Sequence, residues 1–195
     1  MARASKAEAA RHKQDVLDAA SRMVREQGAE AVSVAEIMGA VGLTHGGFYR
    51  HFDSKEALVT VAVEAAFAAQ MKLLDGLLAG HDGSSGAARE ELVAYYLSAQ
   101  HRDCAGEGCP AAGLATDVAR GKPGSDLQRT YLAGLQNLID RLDATSGSDA
   151  GPATREREAL ADLATLVGGL LLARAASGDE LSDRILNAVR HRLGR

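Results

Sequence analysis

The chain has 195 residues, of which 46% are hydrophobic and 25% charged, a composition that excludes a disordered protein. Its net charge of −4 argues against binding nucleic acid through bulk charge, and residues 1–56 are neutral, with eight basic and eight acidic side chains. Two cysteines do not form a disulfide framework. The chain has neither a signal segment nor an uncharged apolar run of about 18 residues, so we expect a cytoplasmic protein that does not enter membranes.

Three prolines, no tryptophan and many Ala and Leu residues predict an all-α fold of about nine helices. Residues 1–5 are expected to form a flexible arm, and Ser5 with Glu8 a capping box. The first helix is expected over about Lys6–Gln27, and Gly28 ends it.

Two short helices follow the first one. Ser33 is placed to cap the earlier of the two and Gly42 to end it, while Thr44 can cap the later one. A short helix, a turn with glycine and a second short helix form the pattern of a helix-turn-helix.

A long fourth helix is expected from about Ser54 to Ala79, where it would connect the three short helices to the rest of the chain. Five further segments with helical periodicity follow, separated by stretches of Gly, Ser and Asp, and each predicts a helix. They are expected at about Ala87–Arg102, Pro110–Arg120, Ser125–Ala144, Pro152–Ala176 and Glu180–Leu193.

The stretch Ser33–Glu56 resembles the DNA-binding signature of TetR/AcrR-family transcriptional regulators. Three segments carry the resemblance in the expected order and spacing: Gly42-Leu43-Thr44, then GGFYRHF at 46–52, then SKEAL at 54–58. The resemblance is specific over about residues 10–60.

The resemblance implies a regulator that binds a double-stranded DNA operator as a homodimer. It also implies a three-helix helix-turn-helix domain at residues 1–53 and a helical ligand-binding and dimerisation domain at residues 54–195. Met38 and Val41 depart from the family pattern, since they stand where small alanines are usual.

The second short helix is expected to lie in a major groove, with its N-terminal residues toward the base edges. Thr44, His45 and Gly46 are therefore the candidates for base reading. Gly46 and Gly47 allow a close approach of the backbone. The candidates for holding phosphates supply a hydroxyl, a ring N–H or a positive charge. They are Ser33, Tyr49, Arg50, His51 and Lys55.

A second candidate site is the segment that contains both cysteines, Cys104 and Cys109. Because a helix N-terminus favours a thiolate, Cys109 is a candidate reactive thiol. Residues 108–114 are also similar to a branch of the TetR family in which this cysteine senses electrophiles or oxidants. Two alternatives stay open: an inert buried cysteine, and a metal site made with His101, for which no fourth ligand is evident. We expect neither a metal nor a cofactor.

A pocket for a small-molecule effector is expected between the helices of the C-terminal domain, mostly apolar with a few polar groups. For each candidate residue, a plain core position is the alternative. The candidates are Met71, Leu92, Tyr95, Tyr96, Gln100, Leu114, Tyr131, Leu135 and Leu170.

The eighth helix is apolar around more than one face, which predicts packing both inward and against another subunit. A purely buried central helix is the alternative. The candidate interface residues, on the last two helices, are Leu160, Leu163, Val167, Leu171, Leu181 and Ile185.

These features favour a ligand- or redox-responsive repressor. A small-molecule inducer or modification of Cys109 would release it from a palindromic operator. The sequence shows no catalytic constellation, so an enzyme is not expected. The alternative is an all-helical protein–protein interaction module without sequence-specific DNA binding.

Overall fold

The computed structural model describes residues 6–81, 84–146 and 151–194, and within these ranges the chain is helical with no strand. The all-α prediction is confirmed. A 3₁₀ helix at His45–Arg50 lies between α2 and α3, and 3₁₀ turns lie at Ala79–His81 and Ala105–Glu107. The α-helices of the described ranges are α1 (Lys6–Gln27), α2 (Val34–Ala40), α3 (Lys55–Leu78), α4 (Ser85–Tyr96), α5 (Ala99–Asp103), α6 (Pro110–Arg120), α7 (Asp126–Ala144), α8 (Pro152–Ala175) and α9 (Glu180–Leu193).

Most helix bounds predicted from the sequence are confirmed within about two residues, and α1 and α9 match their predicted ranges. The predicted arm at residues 1–5, including Ser5 of its capping box, lies outside the described residues.

One predicted helix is two helices in the structure. The segment expected to be continuous over Ala87–Arg102 breaks after Tyr96, because the Ser98 hydroxyl caps a new helix by accepting a hydrogen bond from the His101 N–H at 3.1 Å. This break turns His101 back onto the end of α4, so it creates much of the cysteine site described below.

The helix-turn-helix begins with a capping box. Ser33 accepts a hydrogen bond from the Glu36 N–H, and the Glu36 carboxylate accepts one from the Ser33 N–H at 2.8 Å. Gly42 makes the turn with a φ of +70°, a conformation that favours glycine. The predicted cap and the predicted end of this short helix are confirmed.

The fold is assembled around α3, which packs against α1 and α7. Its first half contributes Leu58, Val59 and Val63 to the core that it shares with α1, and its second half contributes Phe67 and Leu74. With the turn that follows, α3 is long and apolar enough to cross a membrane by length and composition. Many of its apolar residues are buried inside the protein, which is the usual position of a central core helix.

The crossing of α3 and α7 depends on a residue without a side chain. A Cβ at Gly134 would lie 2.4 Å from the Phe67 ring, while Tyr131, one turn earlier on α7, packs edge-on against the same ring at 5.8 Å between centroids. The two helices can therefore approach closely only at a glycine.

Gly134→Ala is expected to lower the free energy of unfolding by about 1–3 kcal/mol, because the added methyl group overpacks this crossing. Chemical denaturation at a fixed protein concentration measures the change. Gly76→Ala is the matched control, since Gly76 lies on α3 with open space around it. The control should gain about 0.5–1 kcal/mol from helix propensity. Wild-type stability in Gly134→Ala would contradict the close crossing.

Candidate functional site

The segment 44–52 divides into a buried side and an exposed side. Phe48 is 0% exposed and Phe52 is buried, and their rings stack at 5.7 Å between centroids. The prediction that both phenylalanines pack the small core is confirmed. The exposed side consists of Thr44, His45, Gly46, Tyr49 and Arg50. The core therefore orients the 3₁₀ helix at His45–Arg50 so that most of the candidate DNA contacts face solvent.

Tyr49 is fixed in place by its neighbours although it is 67% exposed. Its ring contacts the edge of Phe48 at 5.2 Å and that of His45 at 6.0 Å between centroids. His51 is half-buried and lies 6.5 Å from the Phe52 ring. The aromatic core thus restrains these rings before any partner binds.

Ser33 and Lys55, two of the predicted phosphate contacts, already have partners within the chain. The Ser33 hydroxyl donates to the Glu36 carboxylate at 2.6 Å, and Lys55 Nζ donates to the Glu30 carbonyl oxygen at 2.9 Å. Bonds to Ser33 hold the pKa of Glu36 below its usual value, so a negative charge lies directly beside this candidate. A phosphate would have to compete with both arrangements.

The Thr44 hydroxyl makes no capping hydrogen bond, although Thr44 occupies the N-cap position of the 3₁₀ helix. The capping role predicted for this side chain is therefore wrong, because the backbone alone closes the first turn through the Gly47 N–H and the Thr44 carbonyl at 2.9 Å. Gly46 has open space around it, while a Cβ at Gly47 would lie 3.6 Å from the Met38 Cε.

The candidate thiol, Cys109, is 1% exposed at the N-cap of α6, directly before Pro110. The N–H groups of Ala111 and Ala112 and the Tyr96 hydroxyl lower the pKa of this thiol, but burial raises it more, and the net effect is an increase above 9.0. The helix N-terminus was expected to favour a thiolate. That expectation is wrong for the resting structure, because desolvation opposes the charged form. Cys104 is exposed.

His101 ties α5 to the thiol segment. Its Nδ1 donates to the Tyr96 carbonyl oxygen at 2.7 Å, and its Nε2 accepts from the Cys109 N–H at 2.9 Å. The ring stacks on Tyr95 and meets Tyr96 edge-on. Both ring nitrogens are therefore used, and the imidazole is held neutral. Within residues 6–81, 84–146 and 151–194, no three possible metal ligands are grouped.

Two arginines that sequence reasoning missed enclose the same segment. Arg25 Nη1 donates to the Gly108 carbonyl oxygen at 3.0 Å, and Arg174 Nη2 donates to the His101 carbonyl oxygen at 2.8 Å. The Tyr96 hydroxyl is fully buried beside the thiol, and its oxygen has no conventional hydrogen-bond partner. Three glycines within eight residues, at 106, 108 and 113, were the only signal in the sequence of such close packing.

Comparison with known proteins places the exposed helix-turn-helix in a family. Residues 16–62, which span the second half of α1, α2, the 3₁₀ helix and the start of α3, match the family described as bacterial regulatory proteins, tetR family. Over this segment the chain matches the TetR/AcrR family, as its sequence predicts. Its relatives include the HTH-type transcriptional regulator AcrR of Shigella flexneri, which is 43% identical over 58 residues, 30% of this chain and 27% of that protein.

A second relative is the HTH-type transcriptional repressor KstR2 of Rhodococcus jostii, 42% identical over 45 residues, or 23% of this chain and 22% of that protein. The matched segments thus span about a quarter of the length of these curated relatives.

The structural similarity is more extensive. A TetR regulator from Chloroflexus aurantiacus superposes with a TM-score of 0.80 at 21% identity, over 96% of this chain and 94% of that one. The reduced form of Escherichia coli NemR superposes with a TM-score of 0.73 at 22% identity, over 93% and 96%. These two structures share the fold of this chain.

The predicted effector-pocket residues are mostly packed in the core. Leu92, Tyr96, Leu114, Tyr131 and Leu170 are buried, whereas Met71, Tyr95 and Leu135 are half-buried against the core and Gln100 is exposed. The grooves of about 470 and 780 Å³ in the described part of the chain are lined by other residues. The structure shows most of these candidates closely packed. Their role in lining an effector pocket stays a prediction.

The predicted dimer residues divide between two faces of α8 and α9. Leu163 packs into the core of its own protomer, so it contributes little to an external surface. Leu160 and Leu181 are exposed, and Val167, Leu171 and Ile185 are half-buried.

The pKa of His101 is lowered from 6.5 to about 4, chiefly by burial. In the unfolded chain the imidazole takes up a proton near pH 6.5, whereas in the folded protein it does so only near pH 4. The free energy of unfolding should therefore be highest above pH 6.5 and fall by about 3 kcal/mol as the pH decreases to 4.

Chemical denaturation of the wild type and of His101→Gln across this range measures the contribution. The variant lacks the titrating ring, so the difference in stability between the two proteins should change with pH and level off below pH 4. A constant difference would show that His101 is not held neutral.

Proposed function

We propose that this TetR-family chain is a cytoplasmic transcriptional repressor that binds a palindromic operator as a homodimer and leaves it when an effector binds or Cys109 is modified. One observation carries the DNA-binding part. Phe48 and Phe52 are buried beneath the helix at His45–Arg50, named here the reading helix, and the opposite side exposes Thr44, His45, Tyr49 and Arg50. The face is thus oriented and partly rigid before it meets DNA.

The exposed face contains two kinds of candidate contact. Thr44, His45 and Gly46 lie at the start of the helix, where side chains of a helix-turn-helix reach base edges. Tyr49 and Arg50 follow, with a hydroxyl and a guanidinium that suit phosphate oxygens. Ser33, Gly47, His51 and Lys55 stay candidates of lower rank, because the first and last of these have partners within the chain and the other two are only half-exposed.

Homodimerisation is supported by an apolar stripe along the outer side of α8 and α9. Leu160, Val167 and Leu171 follow one another on α8 at helical spacing, and Leu181 and Ile185 lie on α9. Gly168, on the same side of α8, has open space where a Cβ would be. A neighbouring helix could approach closely there, and two-fold pairing would present two reading helices to a palindrome.

Two routes could deliver a signal. A small apolar molecule could separate the packed residues around Leu92, Leu114 and Leu170, and displace α3, which leads directly to the reading helix. Alternatively, an electrophile or oxidant could modify Cys109 once the segment above it opens. A buried, protonated thiol reacts slowly, so this second route requires the opening step.

Arg50→Ala is expected to weaken operator binding at least tenfold and to reduce the salt dependence by about one phosphate contact per protomer, or about two per dimer. His45→Ala is expected to change the preference among operator variants at one position, because a base contact is lost. Fluorescence anisotropy with the upstream region of the gene, at several salt concentrations, measures both effects.

Lys72→Ala serves as the control, since it removes one exposed positive charge from α3, about 25 Å along the helix from Lys55. Unchanged affinity in Arg50→Ala would remove its phosphate role. If the wild type binds no DNA with a steep salt dependence, the protein–protein interaction module becomes the better description.

Leu181→Glu is expected to convert the dimer to a monomer at micromolar concentration, because it places a charge within the apolar stripe where it would be buried without a partner. Leu132→Glu is the control: Leu132 is 54% exposed on α7, and Leu181 is 47% exposed on α9. Analytical ultracentrifugation separates the two outcomes. A dimeric Leu181→Glu, or a monomeric Leu132→Glu, would place the interface elsewhere.

A further inference from the structure

We propose that Arg25 transmits the state of the Cys109 segment directly to α1 of the DNA-binding domain, so that modification of the thiol displaces α1 from the regulatory side. The effect on DNA rests on the proposed repressor function, whereas the coupling between the segment and α1 does not. The coupling residue is Arg25 because its guanidinium joins the two parts: Nε donates to the Ser21 carbonyl oxygen at 2.9 Å within α1, and Nη1 donates to the Gly108 carbonyl oxygen at 3.0 Å.

The segment that carries Cys109 is packed tightly against the last two turns of α1. A Cβ at Gly106 would lie 2.5 Å from the Arg22 Cγ, and a Cβ at Gly113 would lie 3.1 Å from the Arg25 carbonyl oxygen. Both positions lack the space that a side chain needs, whereas several helical glycines elsewhere, such as Gly39 and Gly76, have open space around them. The segment and α1 are thus packed without free space between them. A displacement of the segment must therefore either move α1 or break the contact.

The middle of α1 belongs to the core of the DNA-binding domain. Val16, Ala20 and Val24 of α1 are fully buried in the same hydrophobic cluster as Phe48 and Leu58. From Arg25 to Val16 the helix extends about 14 Å, and a continuous helix carries a displacement at one end to the other. α1 thus links the Gly108 carbonyl to the core beneath the reading helix.

Modification of Cys109 has to disturb this contact because the thiol has no free volume around it. Cys109 is almost fully buried, with the Tyr96 hydroxyl beside the thiol and His101 bonded to its backbone N–H. Alkylation by N-ethylmaleimide gives up the thiol proton, forms a bond from Sγ to one alkene carbon, breaks the alkene π bond and leaves a proton on the adjacent carbon. The added ring cannot be accommodated in place, so residues 105–109 must shift away from α1 or from α8.

The charged groups around the thiol favour a shift that involves Arg25. The guanidinium of Arg25 lies near the carboxylates of Glu107 and Glu26, so its position responds to any new charge or displacement in the segment. Arg174 holds the opposite side, where it donates to the His101 and Arg102 carbonyl oxygens instead of to Gly108. Loss of the Arg25 bond therefore weakens the attachment of the segment to α1, while the α8 side keeps both of its hydrogen bonds.

Hydrogen–deuterium exchange of the full-length protein tests this coupling without DNA. In a Cys104→Ser background, where only Cys109 can be alkylated, N-ethylmaleimide should speed amide exchange in residues 21–27 about tenfold, as loss of a charged hydrogen bond predicts. Arg25→Met should already exchange faster in these residues and change less than about twofold on alkylation. Arg22→Met keeps the Cγ that packs against Gly106 and removes only an exposed guanidinium, so it should behave like its parent.

A second variant makes the test independent of thiol reactivity. Cys109→Asp places a carboxylate at the buried position without a reagent, and it should also speed exchange in residues 21–27. Unchanged exchange there in both the alkylated protein and Cys109→Asp overturns the coupling, and so does an equal response of Arg25→Met and its parent. Faster exchange in α1 with unchanged operator affinity would instead contradict the proposed regulation of DNA binding and leave the coupling established.

Discussion

The burial of one face of α3 against α1 and α7 is the constraint on which the remaining structure depends. Its first turns complete the core beneath the helix-turn-helix, and its later turns cross α7 at a glycine. A helix that is apolar around most of its circumference cannot be stable alone in water, so both parts of the chain must assemble on it. The helix-turn-helix and the helices from α4 onward are consequently joined by packing as well as by the backbone. Any shift of α3 therefore changes the packing in both parts of the chain.

Much of the fold could be predicted from the sequence, because its local signals agree with its tertiary packing. Ser33, Gly42 and Pro110 mark helix ends through capping and backbone preferences that depend on only a few neighbouring residues. The break between α4 and α5 could not be predicted in this way. Apolar spacing continues across it, and Ser98 caps a new helix because His101 is buried against Tyr95 and Tyr96, a tertiary effect.

The candidate sites show the same division. The exposure of Thr44, His45 and Tyr49 follows from burial of the phenylalanines beside them, which the spacing of aromatic residues predicts. The chemistry of Cys109 does not follow from its position at a helix N-terminus, because desolvation outweighs the nearby N–H groups. The roles of Arg25 and Arg174 depend on contacts between residues more than 70 positions apart in the chain. No local pattern in one sequence indicates such pairs.

Under the proposed function, the 3₁₀ geometry of the helix at His45–Arg50 has a consequence for the length of DNA that it can contact. Six residues rise about 12 Å in a 3₁₀ helix and about 9 Å in an α-helix. Successive base pairs are about 3.4 Å apart, so the exposed residues of His45–Arg50 extend about one base pair further along the groove than an α-helix of equal length would. Each half-site could thus be sampled over a longer stretch with fewer contacts per base pair.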